Sequence, residues 1–109
     1  MEATPKTIVI YETRDGSQPF SEWFESLKDK RTRTLILRRL ERVKQENLGD
    51  FKSVGNGVCE LRIDFGAGYR IYFGQIGNIV IILLCGGDKS TQEQDIAIAQ
   101  AFWEDYRRS

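Results

Sequence analysis

The chain has 109 residues and a formal net charge of zero, which fits a single domain and gives no overall preference for nucleic acid. It contains no histidine, so Ser/His, Cys/His and histidine-metal sites are excluded. No stretch approaches the ~20 apolar residues of a membrane span, and the N-terminus lacks the apolar core of a signal peptide. We therefore expect one cytoplasmic domain over residues 1–109, with no metal, cofactor or membrane partner.

The two cysteines, Cys59 and Cys85, both lie in apolar runs that are typical of strands. Thiols in a cytoplasmic protein are kept reduced. We interpret both residues as buried, reduced and slow to react, and a disulfide between them is the alternative interpretation.

The first half of the chain predicts a short strand followed by a helical hairpin. Residues 7–12 (TIVIYE) form the strand, and Pro19 suits the first turn of a helix. Four apolar residues then follow at helical spacing and should pack in the core: Phe20, Trp23, Phe24 and Leu27. A second helix covers roughly residues 30–47 and ends near Gly49. Its apolar stripe consists of Ile36, Leu37, Leu40 and Val43.

The second helix is strongly basic. Residues 28–44 contain eight lysines and arginines but only two acidic residues. The basic side chains, among them Arg38, Arg39 and Arg42, lie outside the apolar stripe. They form either an ordinary solvated face or a positive surface for RNA or an acidic partner.

From residue 51 onwards the hydrophobic period changes to two, which predicts antiparallel strands. Residues 79–85 are apolar on both faces, which suits a central strand covered on both sides. A final helix covers about residues 91–107, and Ser90 and Glu93 fit a capping box at its start. The predicted fold is α+β, with a short N-terminal strand, a helical hairpin, an antiparallel sheet of three to four further strands and a C-terminal helix.

The hairpin loop decides which side chains oppose each other on the polar face of the strands. If residues 66–68 (GAG) form a three-residue loop, Asp64 lies opposite Arg70 and Arg62 lies opposite Tyr72. The simplest interpretation is a surface salt bridge between Asp64 and Arg70, worth under ~1 kcal/mol. In that case Arg70 contributes little to stability. The alternative is that the arginines bind an anionic ligand.

The stretch CGGDKSTQEQD, residues 85–95, joins the central strand to the final helix. Its glycines, lysine and serine resemble a phosphate loop. However, GGDKS lacks the GxxxxGK[ST] spacing of a Walker loop and no GxGxxG is present, so we expect no nucleotide cofactor. A lysine at a helix N-terminus would still attract a phosphate, and Lys89 would join Arg62 and Arg70 around it. The alternative is an ordinary tight turn between the strand and the helix.

Two segments, ELRIDFGAGYRIYF and IILLCGGDKSTQEQDIAIA, resemble the addiction-module killer proteins, the HigB-like branch of the RelE/ParE superfamily of type II toxins. The resemblance covers nearly the whole chain. It implies a microbial RNase-type fold and a toxin that cleaves mRNA on the ribosome. It also implies a cognate helix-turn-helix antitoxin that neutralises the toxin.

The resemblance also implies roles for individual residues. Arg70 matches the arginine that holds the scissile phosphate, Arg62 a basic strand position in the cleft, and Lys89 a basic residue after the last strand. We expect Arg70 to clamp the phosphate, Arg62 to stabilise the negative charge of the transition state and Lys89 to transfer a proton. Lys52 matches a cleft lysine loosely. The last helix has no counterpart of the tyrosine on which an RNA base stacks in this family. Tyr72, which lies on the sheet, would provide that stacking surface instead.

Two other functions remain open at this point. A ParE-like toxin that poisons a topoisomerase shares the fold and needs no nuclease site. A phage-derived domain that acts only as a partner or corepressor of a helix-turn-helix antitoxin would have no enzymatic activity at all.

Overall fold

The computed structural model describes residues 5–45 and 47–109. These residues form β1 (Thr7–Ile10), α1 (Pro19–Ser26), α2 (Lys30–Lys44), β2 (Phe51–Gly55), β3 (Val58–Ile63), β4 (Tyr69–Ile76), β5 (Val80–Asp88), a 3₁₀ turn (Lys89–Thr91) and α3 (Gln92–Arg108). None of the helices in this part of the chain is long and apolar enough to cross a membrane.

The five strands form one mixed sheet in the order β1-β5-β4-β3-β2. Strands β2 to β5 pair antiparallel, whereas β1 lies parallel to β5, with Thr7 beside Val80 and Ile10 beside Leu83. The predicted α+β architecture is confirmed, because an N-terminal strand, two helices, a sheet and a C-terminal helix follow one another in that order.

Helices cover both faces of the sheet. On one face α1 and α2 pack against a core that includes Phe20, Ile36, Leu61 and Phe73. On the other face α3 packs against a core that includes Tyr72, Ile82, Ala99 and Trp103. Strand β5 contributes to both cores, so the prediction that it is covered on both sides is confirmed. The strand face that the alternation marks as polar therefore lies partly beneath α3.

Helix α2 is shorter than predicted, and two of its residues differ from the prediction in whether they are buried or exposed. It ends at Lys44 rather than at 47, and residue 46 of the predicted helix lies outside the described residues. Leu37, predicted to be buried, is 56% exposed, whereas Arg39 from the predicted solvated face is only 6% exposed. The predicted stripe is wrong at this point because the segment after the helix folds back over Arg39.

The buried Arg39 guanidinium binds main-chain carbonyl groups. It donates to the carbonyl oxygens of Leu48 (3.0 Å from Nη2), Asp50 (2.7 Å) and Arg62 (2.5 Å). Burial, followed by the nearby Arg42 charge, lowers the pKa of Arg39. The adjacent Gly49 has φ +65°, and a Cβ there would lie 2.9 Å from Nη2 of Arg39. Arg39 therefore ties the segment after α2 to strand β3.

The start of α3 also differs from the prediction. Strand β5 runs on to Asp88, whose side chain accepts from the Ser90 backbone N–H (2.8 Å) and caps the 3₁₀ turn. The predicted capping box of Ser90 and Glu93 is therefore wrong, because Ser90 already lies inside a turn that precedes α3. Hydrogen bonds from the side chain and backbone of Ser90 lower the pKa of Asp88.

The glycine pair of the CGGDKS stretch lies within strand β5, and the turn from strand to helix is the 3₁₀ turn that follows. Gly87 pairs with Arg70 and Gly86 with Ile71 of β4. A Cβ on Gly86 would lie 2.3 Å from the Trp23 ring, and one on Gly87 would lie 1.9 Å from the Asp95 carboxylate. These glycines leave room for side chains of α1 and α3 to approach the strand.

Replacing Gly86 by alanine should destabilise the fold by about 1–3 kcal/mol, the usual cost of overpacking a core. The reason is the direct overlap between the new methyl group and the Trp23 indole. Chemical denaturation measures the free energy of unfolding. In a double-mutant cycle with Trp23→Ala, the two changes should be strongly non-additive, since the second removes the group that clashes. An unchanged unfolding midpoint for Gly86→Ala would contradict this packing.

The two cysteines are free and lie on opposite faces of the sheet. Cys59 packs beside the α1–α2 core, and Cys85 belongs to the α3 core. Burial raises the pKa of Cys59, and burial followed by the Asp95 charge raises the pKa of Cys85 to about 12. The sheet itself separates the two thiols, which disfavours a disulfide between them.

Thiol labelling of the native protein should therefore be slow, and Cys85 should react more slowly than the half-buried Cys59. Mass spectrometry after timed exposure to iodoacetamide at pH 8 measures both rates. The same protein in denaturant serves as the control and should label quickly at both positions. Rapid native labelling of Cys85 would contradict the burial described here.

Candidate functional site

A cleft of about 260 Å³ lies where the β3–β4 hairpin meets the end of β5. Its charged lining residues are Asp50, Arg62, Asp64, Arg70 and Lys89. The three cations come from β3, β4 and the 3₁₀ turn, so the fold brings together residues that are far apart in sequence. The sequence predicted that these three would converge, and they line one cleft. Their catalytic roles remain predictions.

The register of the hairpin differs from the predicted one by two residues. Arg62 lies opposite Arg70, and Tyr72 lies opposite Glu60. The predicted pairs of Asp64 with Arg70 and of Arg62 with Tyr72 are therefore wrong. Residues 64–68 form the loop, in which the Gly68 N–H donates to the Phe65 carbonyl. A shift of two residues keeps every side chain on its predicted face, which is why the apolar pairs matched equally well in both registers.

The two opposed arginines share one buried carboxylate, that of Glu60. Its Oε1 atom lies 3.1 Å from Arg62 Nε, and its Oε2 atom lies 3.6 Å from Arg70 Nε. The Glu60 side chain is fully buried, whereas the side chains of Arg70 and Arg62 are 12% and 36% exposed. Like charges directly across a pair of strands repel each other, so the Glu60 charge offsets this repulsion.

Two further donors complete the surroundings of Glu60. The Tyr72 hydroxyl and the Gln92 side-chain amide donate to Oε2, at 3.0 and 2.9 Å. Burial alone would raise the pKa of Glu60, but hydrogen bonds from Gln92, Arg62 and Tyr72 and the charge of Arg70 together hold that pKa below its usual range. Glu60 is therefore ionised at neutral pH.

The prediction that Tyr72 serves as a stacking platform for an RNA base is wrong. Tyr72 is fully buried in the α3 core. Burial, followed by the negative charge of Glu60, raises the pKa of its hydroxyl. The strand alternation placed Tyr72 and Glu60 on a polar face, but only the position of α3 shows that this part of the face is covered.

The Gly68 backbone brings the loop close to two of the cations. Arg70 Nη1 donates to the Gly68 carbonyl at 2.8 Å. A Cβ on Gly68, whose φ is +78°, would lie 3.3 Å from Arg70 Nη1 and 3.5 Å from Lys89 Cβ. Glycine therefore allows the guanidinium of Arg70 and the exposed side chain of Lys89 to lie beside the loop.

Comparison with known proteins identifies the family of this chain. The model of the family described as phage-derived protein Gp49-like matches residues 22–104. The chain belongs to the Gp49-like family. An uncharacterized protein of Haemophilus influenzae is 48% identical over 81 residues, which cover 74% of this chain and 82% of that protein. Gp49-like proteins are a toxin-like family related to the RelE/ParE type II toxins, and such a family implies an antitoxin partner.

The cleft of this Gp49-like protein carries little net charge. Two carboxylates, Asp50 and Asp64, line it beside the three cations, and Glu60 beneath it balances the remaining positive charge. An approaching phosphate would therefore be held mainly by directed N–H donors rather than by a long-range positive field.

The other predicted RNA contacts of the Gp49-like chain lie outside the lining of the cleft. Arg38 and Arg42 are exposed and lie four residues apart, on one side of α2. They flank Arg39, whose bonds reach two main-chain groups of the cleft wall. Lys52 is exposed on β2 and pairs with Glu60 in the sheet register. Their contact with RNA remains a prediction.

Two larger depressions, of about 800 and 640 Å³, flank Trp103 near the C-terminal end of α3. The basic residues that line them, Arg107 and Arg108, come from α3 alone. The smaller cleft instead collects cations from three separate segments above a buried carboxylate. We therefore place the candidate site of the Gp49-like protein there.

Proposed function

We propose that this Gp49-like protein is the toxin of a type II toxin-antitoxin system and an endoribonuclease of the HigB-like branch. In this proposal it cuts mRNA on the ribosome, in the cytoplasm, and a helix-turn-helix antitoxin neutralises it. The observation that carries the proposal is that Arg62, Arg70 and Lys89 line one cleft. Membership of a toxin-like family supports the toxin role.

Cleavage without a metal ion requires three things at the scissile phosphate. The 2′-oxygen attacks the phosphorus and loses its proton, the phosphoryl oxygens gain charge, and the 5′-oxygen leaves with a proton. In the proposal Arg70 clamps the phosphate with its fork of N–H donors, and Arg62 stabilises the charge of the transition state. Lys89 transfers one of the two protons, as the base that takes it from the 2′-hydroxyl or the acid that gives it to the 5′-oxygen, and solvent water exchanges the other; an ammonium group exchanges protons more readily than a guanidinium.

The surroundings of the two arginines support these separate roles. Arg70 donates through Nη1 to the Gly68 carbonyl and forms an ion pair with Glu60, 3.6 Å from its Nε, and its side chain is only 12% exposed. A guanidinium fixed in this way needs little rearrangement when a phosphate arrives. Arg62 is more exposed, and from the opposite strand it stabilises the negative charge that develops in the transition state.

Surfaces beside the cleft would bind the rest of the RNA. The exposed arginines of α2, Arg38 and Arg42, would lie against ribosomal RNA, and Lys52 would contact the mRNA backbone. The ribosome would hold the mRNA for in-line attack, so the toxin need not supply the whole geometry of the reaction.

Cell-free translation tests the proposal. Purified protein is added to an extract that translates a reporter mRNA, and primer extension locates any cut. We expect inhibition of translation and discrete cuts within the reading frame, with no cut in the same mRNA without ribosomes. The control is a supercoiling assay with purified DNA gyrase, which a ParE-like poison would inhibit. Gyrase inhibition with intact mRNA would overturn the proposal.

A further inference from the structure

Glu60 is a fully buried carboxylate that contacts three structural elements of the candidate site. It meets Arg62 on its own strand β3, Arg70 and Tyr72 on β4, and Gln92 in the first turn of α3. Because no part of its side chain is exposed, Glu60 cannot touch RNA. Whatever it contributes to a reaction must act through the groups that it holds.

Both arginines face Glu60 with their Nε atoms: Arg62 Nε donates a hydrogen bond at 3.1 Å, and Arg70 Nε forms an ion pair at 3.6 Å. The outer Nη atoms of Arg62 have no other hydrogen-bond partner within residues 5–45 and 47–109, and both guanidinium groups line the cleft. The bond from Gln92 fixes the first turn of α3, which follows the 3₁₀ turn that carries Lys89. The Glu60 carboxylate thus contacts Arg62 and Arg70 directly, and through Gln92 it is connected to the segment that carries Lys89.

We propose that Glu60 is the positioning residue of the site: it orients Arg62 and Arg70 toward the phosphate and, through Gln92, holds the turn that carries Lys89. The inference rests on the proposed nuclease function. Glu60 then supports turnover through the groups that it orients. Its negative charge, which lies beneath the phosphate site, opposes binding of RNA.

This combination gives Glu60 a signature that a purely structural residue lacks. Removing its charge leaves the repulsion between Arg62 and Arg70 uncompensated, so their geometry relaxes and cleavage slows. The same change makes the cleft more positive, so RNA should bind at least as tightly as before. Simple damage to the fold would instead weaken binding and cleavage together.

The first test compares Glu60→Gln with wild type in two assays. Single-turnover cleavage of mRNA on programmed ribosomes should slow by about 10²-fold, the cost of misplacing a reacting group by about 1 Å. Binding is measured with ribosomes that carry an mRNA without 2′-hydroxyl groups, which cannot be cut, and the Kd should stay unchanged or fall. Glu93→Gln is the matched control, since Glu93 is exposed on α3 outside the cleft. This control should cleave at the wild-type rate.

Two further variants keep the test decisive if Glu60→Gln does not fold. Glu60→Asp keeps the charge with a shorter reach and should cleave at an intermediate rate. Gln92→Ala removes a single hydrogen bond to Glu60. It should slow cleavage in the wild-type background, but not further when combined with Lys89→Ala.

The outcomes separate this inference from the proposed function. If the wild-type protein cuts no mRNA, the nuclease proposal fails and the inference falls with it. If wild type cuts and Glu60→Gln cuts equally fast, the inference alone is overturned. A parallel loss of binding and cleavage in Glu60→Gln and Gln92→Ala would also overturn it, because that result marks a structural role only.

Discussion

Replacing Arg70 by alanine should abolish the growth arrest that the protein causes when it is expressed without its antitoxin. Arg70 is the least exposed of the three cleft cations that the proposed reaction uses, and a hydrogen bond from Nη1 and an ion pair with Glu60 position it. Alanine removes the N–H fork that would bind the scissile phosphate, and no neighbouring group can replace it in the same position. Growth after induced expression measures toxicity directly.

The same substitution should also lower the Tm. The sequence alone suggested that Arg70, as a surface residue, contributes little to stability, but its side chain is only 12% exposed and it helps to compensate the buried Glu60 charge. Arg70→Lys is therefore the matched variant. It keeps the positive charge near Glu60 and should remain folded, yet it lacks the bidentate fork and should still be strongly impaired. A fully toxic Arg70→Ala protein would rule out the clamp role.

Replacing Lys89 by arginine should slow cleavage by about 10²–10⁴-fold, the usual contribution of general acid–base catalysis. Arginine keeps the positive charge and its attraction for phosphate, but it does not readily release a proton. Lys89 is exposed after the end of β5, so neither the fold nor ribosome binding should change much. Single-turnover cleavage and ribosome affinity are measured separately.

Lys89→Ala is the companion variant, because it removes both the charge and the proton. It should slow cleavage and also weaken binding. If Lys89→Arg cleaves at nearly the wild-type rate while Lys89→Ala binds more weakly, Lys89 is a phosphate contact only. If both variants cleave normally, Lys89 takes no part in the reaction.

The order and type of the elements could be predicted because periodicity depends only on neighbours in sequence. The hairpin register could not, since it depends on backbone angles within the loop. Gly66 and Gly68 both adopt positive φ, and the loop starts at Asp64 rather than at Gly66. The position of Gly86 and Gly87 inside a strand could not be predicted either, because it depends on residues that are distant in sequence. The neighbours of these glycines, Trp23 and Asp95, come from α1 and α3.

The candidate site was predictable in its exposed part and not in its buried part. Basic residues at the ends of neighbouring strands indicated that Arg62, Arg70 and Lys89 would meet, and they do. The burial of Glu60 and Arg39 could not be predicted from the sequence, because a charged residue is normally expected at the surface. Only the packing of α3 and of the segment after α2 buries them.

The main-chain bonds of Arg39 make the tether independent of the side chains at the positions that it binds. Because the guanidinium binds carbonyl oxygens and no side chain at positions 48, 50 and 62, mutation at Asp50 leaves the tether intact. Asp50 lines the cleft, so a different residue at this position would change the cleft lining without breaking the Arg39 bonds. Position 49, between two of the anchored carbonyls, has less freedom, because its φ is +65° and a Cβ there would lie 2.9 Å from Arg39 Nη2.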